Sequence, residues 1–398
     1  MLTGKTIVLG VTGSIAAYKT ANLASMLVKL GADVHVIMTR NATQFITPMT
    51  FETLTSNKCI VDTFDRNFSF DVKHVSLAKR GDLFMVAPCT ANVIGKLAAG
   101  ICDDMLTTTL LATKAPKLLA PAMNTGMWEN PILQHNLQLL QGYGYHVVQP
   151  VVGRLACGDT GSGKMPPEEL LLEHILLHTA RTKDLQGRRL LVTAGPTQEA
   201  IDPVRFISNR SSGKMGYALA KMAVIRGADV TLVSGPVSIA PFAGIETVEV
   251  RSAQQMFEAV TERSAERDVI IMCSAVADYK PVSCSDRKLK KNDSDMTIPL
   301  TRTQDILGWL GEHKQAGQVL VGFSMETENL IENSRQKLTK KHADLICANS
   351  IASEQTGFAV DTNKVTLITQ EAVKELPLCT KEETADLILD SIKDFINN

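Results

Sequence analysis

Apolar residues fall along this chain in two rhythms. Around Ile7, Val8 and Leu9 they run without interruption and stop at Gly13 and Ser14. An unbroken run of this kind suits a parallel strand buried on both faces. From roughly Ile15 to Leu30 the spacing turns helical, and Val34, Val36, Ile37 and Met38 then read as a second strand. The order is strand, tight turn, helix, strand. It recurs from Gly187, where Leu190, Leu191 and Val192 run into Gly195 and Pro196. The second strand of each copy opens on the same four residues, Gly31 to Val34 and Gly227 to Val230. Third strands follow at 82–88 and 268–274. This pattern predicts an α/β chain of two Rossmann-like, doubly wound domains. The second copy carries a longer segment between turn and second strand, and the surplus falls in 198–212.

Between the copies lie a glycine-rich stretch from Gly153 to Gly163, Pro166-Pro167, a helix of roughly Glu168–Ala180 and a charged tetrapeptide at 181–184. We place the boundary between 183 and 184. In open α/β sheets ligands bind beyond the carboxyl ends of the strands, so chemistry is expected in the loops that end the apolar runs.

The chain has 398 residues, 44% hydrophobic and 21% charged, with a net charge of −1. This balance excludes a disordered chain and argues against a dedicated nucleic-acid coat. No apolar run reaches the ~20 residues that span a bilayer, and the opening residues read as a strand, so no targeting segment is expected. The eight cysteines form no C-x-x-C pair and have no zinc spacing with histidine. They are expected to be reduced thiols in a cytoplasmic protein.

The turn at Gly13-Ser14 and the small, polar loop Pro88-Cys89-Thr90-Ala91-Asn92 suit a flat, phosphorylated cofactor. The loop Ser211-Ser212-Gly213-Lys214 offers hydroxyls and amides to a phosphate but lacks Walker spacing. The residues leave two alternatives open. A nicotinamide oxidoreductase is disfavoured because no full G-x-G-x-x-G is present, and Met38-Thr39-Arg40 stands where an acidic residue should close the second strand. The other is a flavin-binding module without activity.

Several motifs carry a resemblance. Pro121-Ala122-Met123-Asn124 leading to Met127-Trp128, Ala156-Cys157-Gly158-Asp159, and His74 between Lys73 and Val75 resemble the flavin-containing cysteine decarboxylases. With the second half included, the whole chain resembles the bacterial bifunctional phosphopantothenoylcysteine decarboxylase/phosphopantothenate–cysteine ligases of coenzyme A synthesis.

The resemblance implies an FMN-dependent decarboxylase at 1–183 and a CTP-dependent ligase at 184–398. It makes His74 an acid/base group, Asn124 a holder of the substrate carboxylate and Cys157 a proton donor on a flap. FMN contacts carry over to Gly13, Ser14, Thr39 and Pro88, and to Thr90, Asn92 and Met123. Cys89 stands where relatives carry a small residue and receives no role. In the ligase half, Asn209 and Arg205 would meet an acyl-cytidylate, and Lys288, within the basic run 287–291, would serve its formation. CTP contacts would be Ser274, Ala275, Asp278, Gln304 (a proline in the family), Asp305, Ile306 and Leu307, then Phe323, Lys337 and Lys341. Lys337 and Lys341 stand four apart on an expected helix, able to face one triphosphate. Implied partners are CTP, 4′-phosphopantothenate and L-cysteine, with Mg²⁺ on the triphosphate and metal ligands unknown. No nucleic acid or membrane is implied. The expected assembly is a homo-oligomer, a dodecamer of decarboxylase trimers and ligase dimers.

Overall fold

A computed structural model of the chain describes residues 1–63, 73–154, 158, 160–290, 296–326, 328–350 and 360–397. They fall into two compact units, Met1–Arg181 and Thr182–Asn398.

The first unit runs β1 (Thr6–Val11), α1 (Ala17–Lys29), β2 (Asp33–Met38), α2 (Pro48–Thr55), α3 (Lys73–Arg80), β3 (Leu83–Cys89), α4 (Ala91–Ala98), α5 (Met105–Ala112) and β4 (Lys117–Pro121). It continues with α6 (Thr125–Trp128), α7 (Pro131–Gly142), β5 (Tyr145–Val147), β6 (Val151–Arg154), β7 (Thr160–Lys164) and α8 (Glu168–Thr179). The five-stranded parallel sheet has the order β2-β1-β3-β4-β5. Every residue of β1 and β3 is buried, as their unbroken apolar runs require. The strand order reverses between β1 and β3, so this sheet opens its crevice at their carboxyl ends. β6 and β7 form a separate antiparallel hairpin.

The second unit opens with β8 (Arg189–Ala194), β9 (Gln198–Ala200), β10 (Phe206–Ser208), α9 (Lys214–Ile225), β11 (Asp229–Ser234), β12 (Glu246–Glu249), α10 (Ala253–Ser264) and β13 (Val269–Met272). Then come β14 (Tyr279–Pro281), β15 (Leu300–Arg302), α11 (Ile306–Glu312), β16 (Val319–Glu326), α12 (Leu330–Lys340) and β17 (Leu345–Ser350). It closes with β18 (Thr362–Asn363), β19 (Val365–Ile368), β20 (Val373–Glu375), β21 (Cys379–Thr380) and α13 (Lys381–Asn397). The sheet order is β12-β11-β8-β13-β16-β17-β19-β20, parallel through β17 and antiparallel beyond it. Its parallel part has the Rossmann order 3-2-1-4-5-6, with the switch point between β8 and β13.

Two differences from the sequence reading stand out. The long 198–212 segment is not a plain loop, because β9 and β10 pair within it as an antiparallel hairpin. A second ribbon, β14 with β15, projects from the end of β13 and frames the basic run.

Candidate functional sites at two switch points

In the first unit, Thr12 ends β1 and is buried. Its hydroxyl donates to Pro88 O at 2.8 Å and accepts from Thr90 N at 3.1 Å, fastening β1 to β3 across the switch point. A cleft of about 640 Å³ opens beside it. Six of the residues expected to hold a cofactor line this cleft: Gly13, Ser14, Thr39, Thr90, Asn92 and Met123. Pro88 does not; it sits buried in β3 and contributes through its bond to Thr12.

The cleft falls within the roughly 300–1,000 Å³ usual for ligand pockets. At Gly13 a Cβ would meet the Asn41 Cβ at 2.7 Å, so only glycine lets the turn reach the 39–44 segment. A narrow turn, hydroxyls, an amide and a thioether suit a flavin nucleotide. Lys96 also lines the cleft, bonded to Asp103 at 2.7 Å and Asp104 at 3.5 Å, and nothing in their spacing announced this trio. Cys89 is wholly buried, which pushes its thiol well above the ordinary range and agrees with its having no role.

A second cavity of about 580 Å³ adjoins Met123 and is lined by Asn124, Tyr18 and Arg154. Asn124 caps α6; its Oδ1 accepts from Gly126 N at 2.8 Å and Met127 N at 3.4 Å. The β6–β7 hairpin lies against this segment. Met123 N donates to Gly163 O at 3.0 Å and Thr125 Oγ1 to Ser162 O at 2.9 Å. The approach depends on glycine: a Cβ on Gly163, at φ +117°, would stand 2.4 Å from Met123 O. Cys157, which falls between β6 and β7 in the sequence, lies outside the described residues. His74, at the start of α3, lines neither cavity.

In the second unit Thr193, buried in β8, takes the part of Thr12. Its hydroxyl donates to Ser274 Oγ at 2.8 Å and accepts from Cys273 N and Ser274 N, both at 3.0 Å. Asn209 Nδ2 donates to Ala275 O and Val276 O, both at 3.1 Å. A pocket of about 140 Å³ gathers Ser274, Ala275 and Phe323 with the Ser211–Lys214 loop. It also contains Asn349, Asn363 and the mostly buried Lys381, which sequence spacing did not single out.

The remaining expected contacts form a second group. Thr303 bonds to Ala277 O at 2.6 Å and Asp278 O at 2.9 Å, which brings Gln304 and Asp305 beside Asp278. Asp305 caps α11 and pairs with Lys341, while Lys337 donates to Phe323 O at 2.8 Å. Burial raises the Asp305 carboxyl, but the Lys341 and Gly308 hydrogen bonds outweigh it and hold it below the usual range. Ile306 and Leu307 have their side chains in the hydrophobic core, so a ligand could meet only their backbone. Lys288 is exposed. Arg205 is committed to Asp202 at 2.7 Å and to Leu289 O at 2.5 Å.

Among the described residues no group of three or more His, Cys, Asp or Glu is placed to hold a metal, and no helix is long and apolar enough to cross a membrane.

Comparison with known proteins agrees with this division. Residues 1–179 match the family described as flavoprotein, and residues 185–396 match the DNA/pantothenate metabolism flavoprotein C-terminal domain. The coenzyme A biosynthesis bifunctional protein CoaBC of Bacillus subtilis is 46% identical over 396 residues, covering 98% of this chain and 97% of its own. Its counterpart in Escherichia coli K12 is 41% identical over 394 residues, with 98% and 97% covered. A solved C-terminal domain of a CoaBC protein is 46% identical and covers 54% of this chain and 99% of its own, with a TM-score of 0.47. Fold and matches define a two-unit α/β flavoprotein. Within that class, the chain belongs to the family of coenzyme A biosynthesis bifunctional proteins.

Proposed function

We propose that residues 184–398 join 4′-phosphopantothenate to L-cysteine at the expense of CTP, and that residues 1–183 decarboxylate the product to 4′-phosphopantetheine. The observation that supports this reading is that each unit's own switch point opens a pocket lined by some of the residues the resemblance names, six in the first and Ser274, Ala275 and Phe323 in the second.

In the ligase half, a carboxylate oxygen of 4′-phosphopantothenate attacks the α-phosphorus of CTP. Pyrophosphate leaves and an acyl-cytidylate remains. The amine of cysteine then forms the amide and CMP departs. Ser274, Ala275, Asp278, Asp305 and Phe323 would seat the nucleotide, with only backbone from Ile306 and Leu307. Lys288, Lys337 and Lys341 would stabilise charge spread over phosphate oxygens. Asn209, anchored on Ala275 and Val276, would face the acyl group. Mg²⁺ accompanying the triphosphate would neutralise part of its charge.

In the decarboxylase half, Gly13, Ser14, Thr39, Thr90, Asn92 and Met123 would hold FMN, which when bound supplies a reversible electron sink for the substrate thiol. The NH₂ of Asn124 would hold the carboxylate that leaves. A neutral donor suits this, since a cation would stabilise the ground state. Cys157 would return a proton, and the stem of its hairpin is seated beside Asn124 by Gly163. His74 would act as the acid/base group, in a homo-oligomer expected to be a dodecamer of decarboxylase trimers and ligase dimers. We place the enzyme in the cytoplasm.

The test supplies CTP, Mg²⁺, L-cysteine and 4′-phosphopantothenate to protein reconstituted with FMN, with mass detection of both products and light scattering for assembly. A CTP-dependent loss of 4′-phosphopantothenate followed by appearance of 4′-phosphopantetheine is expected. Accumulation of the carboxylated amide on flavin-loaded protein would refute the decarboxylase assignment, and formation of neither the amide nor 4′-phosphopantetheine would refute the ligase assignment.

A further inference from the structure

Asp202 has no role in the chemistry above, yet its side chain is fully buried in a part of the fold that is otherwise loop. A buried carboxylate is costly unless its oxygens are satisfied. Here Oδ1 accepts from Val204 N and Arg205 N, both at 2.8 Å. Oδ2 accepts from Arg205 Nε at 3.0 Å and from Leu289 N at 3.1 Å. Three of these donors are local to the turn between β9 and β10. Leu289 lies 87 positions away, on the arm that carries the basic run.

The arm is held at two points. Ser285 N donates to Ile201 O at 3.0 Å, and Ser285 Oγ donates to Arg287 O at 2.7 Å, folding the next residues into a turn. At the other end both backbone groups of Leu289 are taken, its N–H by Asp202 and its carbonyl by Arg205. Lys288 stands exposed on the short arch between these pins. A long, flexible amine loses much conformational freedom when its backbone is fixed in advance, and that loss is then not charged against binding.

We propose that Asp202, through Arg205 and Leu289, is the positioning residue that pins the arm and presents Lys288 to the triphosphate. This rests on the reading that Lys288 serves acyl-cytidylate formation. Asp202 itself need touch no substrate. The same hydrogen bonds hold its carboxyl down at about 2 against the upward push of burial, so the pin stays ionised at any working pH.

The experiment uses the full chain and Asp202→Asn. An amide cannot accept at both oxygen positions, and its NH₂ opposes the N–H groups that face it. Local release of a segment raises its proteolysis rate. Trypsin should therefore cut after Arg287, Lys288 or Lys290 about tenfold faster, with the rest of the digest unchanged. Misplacing one group by about 1 Å can cost ~10²-fold, so kcat for CTP-dependent ligation should fall by about tenfold or more, with KM for L-cysteine within about twofold. Decarboxylation of supplied substrate should be unaffected. Should Asp202→Asn fail to fold, Leu289→Pro deletes the one N–H of the arm that reaches Asp202 and leaves the three donors of the β9–β10 turn intact; ligation is read as before and nicking after Arg287 or Lys290, because trypsin does not cut a Lys–Pro bond. Unchanged nicking overturns the proposal. So does faster nicking with normal ligation, which would make the pin merely structural. Lys288→Gln is run alongside. If it ligates normally, the underlying reading of Lys288 fails, and the positioning role falls with it whatever the nicking rate.

Discussion

Each unit has a buried threonine at the carboxyl end of its first strand, Thr12 just after β1 and Thr193 next to last in β8, and the two do the same work on different material. Thr12 ties β1 to Pro88 and Thr90, so what it fixes is a turn of small residues around a roomy cleft. Thr193 ties β8 to Cys273 and Ser274, beside a much smaller pocket whose lining includes Lys214 and Lys381. The first site is shaped by the absence of side chains and filled by amides and hydroxyls. The second, in the function proposed, draws on charge, with Lys337 on α12, Lys341 at its end and Lys288 on the arm. A flat cofactor that stays bound rewards a fixed cleft. A triphosphate that enters and leaves each cycle rewards cations that are placed by the backbone and already partnered, as Lys341 is with Asp305.

Five substitutions press on this contrast, the largest effect first. Lys288→Gln should reduce ligation by about 10³-fold, in line with loss of a donor aimed at developing charge, while decarboxylation of supplied 4′-phosphopantothenoylcysteine continues. A parallel fall in both reactions in folded, flavin-bound protein would mean the sites are not separate. Asn124→Ala should do the reverse, slowing decarboxylation by about 10²-fold and costing about 1 kcal/mol from the lost cap; normal carbon dioxide release would remove Asn124 from the site.

Arg226→Met is third. Its guanidinium is nearly buried and pairs with Asp184 at 2.8 Å, Asp386 at 3.2 Å and Asp390 at 2.8 Å. Breaking a buried pair by removing one partner costs about 3 kcal/mol, read as a lower melting midpoint for the second unit only. A pH series sharpens it. The Arg226 hydrogen bond, with that of Lys393, outweighs burial and holds the Asp184 carboxyl at about 2. A carboxyl depressed on folding adds stability above its unfolded value of about 3.9 and loses it as pH falls toward the folded value. The second unit should therefore lose stability between about pH 4 and 2, and Arg226→Met should flatten that slope. A slope unchanged by the mutation would contradict the ion-pair account.

Smallest are Thr12→Val and Thr193→Val, each expected to cost about 1–2 kcal/mol by stranding a buried N–H. Flavin titration should report the first alone and CTP titration the second alone. If either mutation weakened both ligands, the two switch points would be coupled.

Much of this was legible along the chain. Unbroken apolar runs located β1, β3, β8 and β13, because strands covered on both faces admit little else. The glycines and prolines that stop those runs marked both crevices. What escaped depends on long-range pairing. Asp202 looks like an ordinary turn residue until Leu289 is folded onto it. Lys96, Asp103 and Asp104 carry no motif in the sequence, yet they border the first cleft. Ile306 and Leu307 sit in a segment expected to meet nucleotide, yet burial of their side chains decides their contribution. The hairpin within 198–212 was hidden by its brevity, since three-residue strands carry almost no period.

One small arrangement bears on how the chain can be taken apart. By strand count the second half could be cut just before Gly187, ahead of β8. Its anchors begin earlier. Leu185 is buried and its N–H donates to Arg226 O at 3.0 Å, while Asp184 meets both Arg226 and Lys393. A fragment starting at Gly187 would keep every strand but lose a carboxylate from the Arg226 cluster and leave an apolar slot empty. One starting at Thr182 would keep both, and is where a genetic dissection of the two activities should make its cut.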